Sequence, residues 1–420
     1  MQSKYSLQVN IKDFCVQAGI IMTFSGVVYT FLVNNLGGLA AILLSYVFAI
    51  GATILSKLFY THENKMLLHS AVWLIIFVVV YVIGLELFDK TEQRFNIFGY
   101  SASLTSYNIL KSFPIWLMGY VVCTNMNKRE AWKCLYIIVF LLVWGMIATL
   151  WALNSEPDYV RLRTAGRSGG NYASIGAMGY ELTYTIAIVY ISLFRTLKQK
   201  NKVIAYIFGL LCIVYIVKCS LLLAITATLL NLSLSLAMGI RKKHYRLICE
   251  TIIIIALVSA LMNSELVGGT LIDLSEQVKN INISLRLKQI GRYLKFGDDD
   301  GASLARLDLY KHALNGFLTS PLIGNLPLDS GFILTGHSTT LDLLSAFGLL
   351  AGIPFISFWL TIYRYFKKKL VSSEISRIAR TGIIVFVFIT IFNPVFANVH
   401  IMFAITCILP LSAQLSDTKI

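Results

Sequence analysis

Three arginines, Arg161, Arg163 and Arg167, fall within seven residues in the stretch SEPDYVRLRTAGRSGGN. A guanidinium is planar, stays charged at any working pH and offers a fork of N–H donors matched to phosphate oxygens. Such a cluster beside a glycine-rich turn can clamp a diphosphate, while a solvated or lipid-headgroup-binding loop is the plainer reading. Gly166, Gly169 and Gly170 do not make a nucleotide loop, because no Lys-Ser/Thr pair follows them. Arg286, Arg292 and Arg306 are spread through a later polar stretch and can form a second clamp.

The string GHSTTLDLLSAFGLLAGIPF begins at Gly336 and carries His337, with Asp342 a little more than one helical turn further on. A histidine at such a boundary suits a general base near neutral pH, and equally an interfacial residue without chemistry. Gly348 and Gly352 in the same string suit close helix packing. Among ionisable residues within apolar runs, Glu86, Lys218 and Glu250 lie near run ends and can snorkel. Lys111 and Glu181 lie deeper, Glu181 about two turns inside its run. Both are expected to face the bundle interior or a wet cavity, where they can pair.

Metal chemistry finds little support. Asp298, Asp299, Asp300 and Gly301 resemble part of a calcium loop but lack the later ligands and the terminal Glu, so they read as a solvated turn. The seven cysteines are odd in number, lie in or beside apolar runs and have no CxxC spacing. They read as small packing residues, so no disulfide framework, metal site or cofactor is expected.

The elements that position these residues follow from composition. A chain of 420 residues that is 57% hydrophobic and 14% charged is unlike a water-soluble globule, which carries roughly a quarter charged residues. The apolar residues gather in runs long enough to cross a hydrocarbon core of about 30 Å, and stretches such as 74–85 are apolar on every side, which excludes the alternating strands of a barrel. The expected fold is an all-α polytopic membrane protein, a single membrane domain over 1–420. Twelve spans are expected near 14–33, 38–57, 67–88, 105–123, 134–153, 173–194, 203–217, 219–239, 247–263, 338–362, 381–397 and 399–415.

The net charge of +15 sits in short clusters between spans, which reads as orientation rather than a nucleic-acid footprint. With both termini cytoplasmic, the inner segments hold 22 lysines and arginines against six in the short outer loops, as the positive-inside rule requires. The first span is expected to stay, with no cleavage site after it. The arginine cluster then lies in an external loop, 154–172, against the prevailing bias. A large external loop, 264–337, carries an interfacial helix with Ile283, Leu287, Ile290 and Leu294 on one face and Lys288, Arg292 and Lys295 on another. A second helix is expected from about Ser303 to Leu318, stopped by Pro321 and Gly324.

This whole topology, with the strings RLDLYKHALNGFLTSPLIG from Arg306 and GHSTTLDLLSAFGLLAGIPF from Gly336, resembles the bacterial O-antigen and capsular-polysaccharide polymerases, the Wzy-type members of the O-antigen polymerase and ligase superfamily. Arg286 to Gly297 also fits an arginine-ten-residues-glycine pattern found in some of these enzymes. The resemblance implies a metal-independent glycosyltransferase of the bacterial inner membrane. It would transfer a growing glycan from undecaprenyl diphosphate onto a new lipid-linked repeat unit at the outer leaflet. The implied partners are the lipid-linked oligosaccharide, membrane lipid and a chain-length regulator protein, without nucleic acid.

By the same resemblance, Arg286, Arg306 and His337 would be catalytic, with His337 as base although Ser338 follows it where many ligases have Asn. Arg161, Arg163, Arg167, Arg292, Lys218 and Glu181 would contact diphosphate or glycan, Lys218 standing loosely where ligases carry an Arg. Two rivals remain. An O-antigen ligase uses the same donor with lipid A core as acceptor, and a lipid-linked-glycan flippase or other transporter would show internal repeats and interrupted spans.

Overall fold

The computed structural model describes residues 2–55, 65–88, 119, 128–164, 170–239, 264–279, 281–296, 302–328, 338–369, 374–393, 395 and 398–416. The expected spans at 105–123 (Gly119 apart) and 247–263 lie outside these residues, as do Lys111, Arg167, Glu250, Asp298 to Gly301 and His337.

Among the described residues the chain is helical, without a strand. In order, the helices are α1 (Gln2–Phe24), α2 (Gly26–Leu36), α3 (Gly38–Leu55), α4 (Lys65–Phe88), α5 (Lys128–Ser155), α6 (Tyr159–Thr164), α7 (Gly170–Ser174), α8 (Tyr180–Lys200) and α9 (Lys202–Cys219). There follow α10 (Leu222–Gly239), α11 (Ser264–Gln277), α12 (Ile281–Phe296), α13 (Ala302–Thr319), α14 (Thr339–Lys369), α15 (Glu374–Phe392), α16 (Val399–Phe403), a π turn (Ala404–Ile408) and α17 (Leu409–Ser416).

Among the described residues, four stretches, His69–Leu87, Lys128–Ser155, Lys202–Cys219 and Thr339–Arg364, are long and apolar enough to cross a membrane. Ile11–Met22 with Gly26–Leu36 makes a fifth if the bent pair is one span. The surface of these helices is itself apolar: Ile75, Val79 and Ile83 on α4 and Ile207, Leu210, Ile213 and Val217 on α9 are exposed, as suits lipid rather than water.

α8 is more polar, and the packing explains how it is tolerated. Every residue from Leu182 to Leu193 is buried, with α9, α10, α15 and α17 packed around it. Its threonines and tyrosines therefore meet protein. Asn231 of α10 ties this centre together: its amide donates to the Ala187 and Ile188 carbonyls at 2.9 and 2.8 Å, and its oxygen accepts from Ser235 at 3.2 Å and Thr381 at 2.7 Å. Such satisfied polar contacts hold helices together where hydrophobic burial drives nothing.

Three expectations are corrected. The first span, expected near 14–33, is not one continuous helix: helix α1 ends at Phe24, the Ser25 hydroxyl caps α2 by accepting from Val28 N–H at 3.3 Å, and the two helices meet at 76°. The turn expected at Lys218 falls at Ser220, which takes a left-handed conformation (φ 55°), while Lys218 stays on the exposed last turn of α9. Glu181 is not two turns inside a span. The stretch 173–194 is interrupted by a turn at Gly176, so Glu181 falls in the first turn of α8.

The segment between α10 and α14 folds as expected in part. Helix α13 matches the predicted 303–318 closely. Helix α12 buries Leu287 and packs along α11, crossing it where Gly268 and Gly291 bring the backbones together, so part of its apolar face meets protein.

Candidate functional site

The arginine cluster is held by its neighbours. Glu156 to Tyr159 make a tight turn after α5, with Tyr159 N–H donating to the Glu156 carbonyl at 2.9 Å. Tyr159 and Val160 are buried, which leaves Arg161 and Arg163 half-buried on the rest of the single helical turn α6. The Tyr159 hydroxyl donates to the Ala177 carbonyl at 3.3 Å and its ring meets Tyr172 edge-on at 5.8 Å. Burial raises the Tyr159 phenol above its ordinary range, the Arg163 guanidinium pulls it back, and Glu181 and Glu156 add to the rise. Arg163 and Glu181 thus both act on this one hydroxyl.

The stretch from Tyr172 to Gly179 is stitched back onto α5. Trp144 Nε1 donates to the Ile175 carbonyl at 2.9 Å, and Met178 N–H donates to Thr149 Oγ1 at 2.9 Å. The Glu181 carboxylate accepts from Gly179 N–H at 2.9 Å, a favourable place for negative charge at the start of α8.

One turn along α8 from Glu181, Tyr184 accepts a hydrogen bond at 2.8 Å from the Asn393 side chain, which lies just beyond α15. The Asn393 carbonyl in turn accepts from both the amide (3.3 Å) and the hydroxyl (3.1 Å) of Thr339, the first residue of α14. Thr339 Oγ1 also accepts from Val395 N–H at 2.8 Å. Ser338 caps α14, its hydroxyl accepting from Leu341 N–H at 3.1 Å, while the buried Asp342 carboxylate lies 3.4 Å from the Ser338 amide. Thr340 donates to Thr390 Oγ1 at 3.0 Å.

Aromatic residues border this joint. Tyr180 meets Tyr184 edge-on at 6.0 Å, and Tyr310 of α13 donates to the Phe392 carbonyl at 3.1 Å with its ring 6.2 Å from that of Phe392. His400 comes two residues after Asn398, which caps α16, and its Nε2 lies 3.2 Å from the Phe24 carbonyl.

The expected residues separate accordingly. Arg161 and Arg163 on α6 and Glu181 in the first turn of α8 lie at the Tyr180 end of α8, and Tyr184, one turn further on, is linked through Asn393 to Thr339 of the GHSTTLDLL stretch. Arg286, Arg292 and Arg306 are carried by α12 and α13, where Arg292 is half-buried; Tyr310, one turn after Arg306, links α13 to the end of α15. Lys218 is exposed on α9. Tyr184, Thr339, Thr390, Asn393 and Tyr310 enter from the structure, while Asp342, already singled out in the sequence, is buried beside the Ser338 amide. Asn393 reads in sequence as a turn former and Tyr184 as the interior of a span.

Cys15, Cys134, Cys212, Cys219 and Cys407 are thiols, and among the described residues no group of three His, Cys, Asp or Glu side chains is placed to hold a metal ion. Comparison with protein-family models and with curated proteins returns no match.

Proposed function

We propose that the chain is a polysaccharide polymerase of the Wzy type, a metal-independent glycosyltransferase acting on undecaprenyl-diphosphate-linked repeat units. The observation that supports the reading is the Tyr184–Asn393–Thr339 joint, which ties the start of α8, the helix that follows the arginine-bearing turn, to Thr339 of the GHSTTLDLL segment. On this reading the chain crosses the membrane about twelve times with both termini in the cytoplasm, and that end faces outward.

The reaction joins an acceptor sugar hydroxyl to the anomeric carbon of the growing glycan while the bond from that carbon to the diphosphate breaks. Undecaprenyl diphosphate leaves with the bonding electrons, and the hydroxyl proton passes to a base, for which His337 is the candidate. Charge grows on the diphosphate as the bond breaks. Guanidiniums in a site shielded from water stabilise that charge far better than in bulk solvent, a role for Arg161, Arg163 and Arg167 with Arg286, Arg292 and Arg306. Two lipid diphosphates gripped near one reaction centre turn a bimolecular encounter into a positioned one.

The ligase reading shares all of this except the acceptor. The transporter reading gains one feature, since α14 is interrupted at Gly348. Transporters leave the ends of broken helices open to substrate, whereas four backbone groups flanking this break are bonded to the chain's own turn at 321–326. That favours a fixed scaffold. The test is direct: membranes holding the chain, supplied with undecaprenyl-diphosphate-linked repeats from the same cells, extend them into polymer in the presence of EDTA. Repeats that remain single under these conditions refute the proposal.

A further inference from the structure

The turn that follows α13 is seated inside a broken helix. At Gly348 the backbone of α14 leaves helical geometry (φ 57°, ψ −150°). In an unbroken helix Leu349 and Leu350 would donate to the carbonyls of Ser345 and Ala346. Instead Leu349 N–H donates to the Pro321 carbonyl at 2.8 Å and Leu350 N–H to the Leu322 carbonyl at 3.0 Å. The Ser345 and Ala346 carbonyls accept from Asn325 and Leu326 N–H at 2.9 and 3.0 Å. Two helical bonds are replaced by four bonds to the turn, so these backbone groups stay satisfied where water is scarce.

Only glycine fits the contact. Gly324 and Gly348 both have positive φ (74° and 57°). A Cβ on Gly348 would stand 2.7 Å from the Gly324 nitrogen and the Leu322 carbonyl, and one on Gly324 would strike the Ala346 carbonyl. Asn325 closes the joint from within. Its side-chain amide donates to the Gly316 carbonyl near the end of α13 and to the Ser345 carbonyl at 3.3 Å, and its oxygen lies 3.3 Å from the Thr319 hydroxyl, which donates to it. The residue is 5% exposed. One residue therefore bonds the last turn of α13, the inserted turn and the first half of α14.

These elements carry separate parts of the proposed chemistry. Helix α13 bears Arg306 and Tyr310, and α14 begins immediately after His337 and Ser338. We propose that Asn325 is a positioning residue. By seating the 320–328 turn in the break at Gly348, it holds α13 and the first half of α14 as one body. The inference rests on the glycosyl-transfer reading, and its test keeps the two apart.

Leu322 and Leu350 are neighbours across the joint and both exposed, 70% and 56%. Cysteines at these two positions, in a chain without the seven native cysteines, are treated in native membranes with a short thiol-to-thiol cross-linker and read by mass spectrometry. Polymer length is measured in the same membranes from lipid-linked repeats. The expected result is rapid cross-linking with full polymer length. Asn325→Asp, which keeps the shape and removes at least one of the two donations, is expected to slow cross-linking and shorten the polymer several-fold at unchanged protein level. Cross-linking is then expected to restore length to at least half of the original, a rescue that a residue touching substrate would not show. Failure to cross-link with Asn325 present, full-length polymer from Asn325→Asp, or no rescue overturns the inference. If the unaltered chain makes no polymer, the transfer reading fails, and the slowing of cross-linking alone decides whether Asn325 seats the turn.

Discussion

The side chain of Asn393 donates to the Tyr184 hydroxyl across 2.8 Å, joining residues 209 positions apart in the chain. The bond locks the start of the buried helix α8 to the end of α15, and through the Asn393 carbonyl to Thr339. Tyr184→Phe keeps the ring and removes the hydroxyl. A buried hydrogen bond of this kind contributes about 1 kcal/mol, so a small fall in melting temperature in detergent is expected. Polymer formation per folded molecule is expected to fall several-fold. A lowered melting temperature with unchanged polymerisation would make the joint a scaffold remote from the site.

The arginine reading predicts a difference between charge and geometry. Replacing Arg161 or Arg163 with Ala is expected to reduce polymer length sharply at normal protein level. Lysine is expected to rescue poorly, because a point charge cannot reproduce a two-pronged grip on phosphate oxygens. Polymer of normal length from both lysine variants would remove the clamp.

Much of the helical plan is legible in the sequence, because long apolar runs and charge clusters are local signals. α13 was within a residue or two of its expected bounds, and Leu287 of the expected apolar face of α12 is indeed buried. The break at Gly348 is not legible. A glycine in an apolar run reads as a helix-packing position, and the turn that fills this gap comes from residues 321–326, on the other side of the segment leading to α14. Tyr184 and Asn393 escape for the same reason: each is ordinary where it stands, and only the tertiary fold brings them together. Glu181 falls in a first helical turn rather than deep in a span because the turn at Gly176 cuts an apolar run that hydropathy reads as continuous.

Asn231 offers a contrast within the same bundle. Its four side-chain contacts tie α10 to α8 and α15 away from the arginines. Asn231→Ala is expected to cost about 1–2 kcal/mol, the upper part of the range for hydrogen bonds between membrane helices. It should be visible as a lower melting temperature in detergent, with polymer length per folded molecule unchanged. Loss of polymerisation at full stability would place Asn231 in the site.

Orientation is tested by labelling. Ser174, exposed in α7, and Asn201, exposed at the Lys200 end of α8, lie at opposite ends of that helix. In a cysteine-free chain, a cysteine at 174 is expected to react with an impermeant maleimide in intact spheroplasts, and one at 201 only after lysis. The reverse pattern would invert the topology.

The central claim is tested most directly by what accumulates in cells that lack the chain. A polymerase acts after the lipid-linked repeat is flipped and before the glycan is attached to its final acceptor. Mass analysis of the surface glycan and of the lipid-linked pool is therefore expected to show single repeat units on the acceptor and no long polymer, with long chains restored by the native gene. Single repeats trapped on the cytoplasmic leaflet would indicate a flippase. Long polymer stranded on undecaprenyl diphosphate, with none on the acceptor, would contradict polymerisation and assign the chain to ligation.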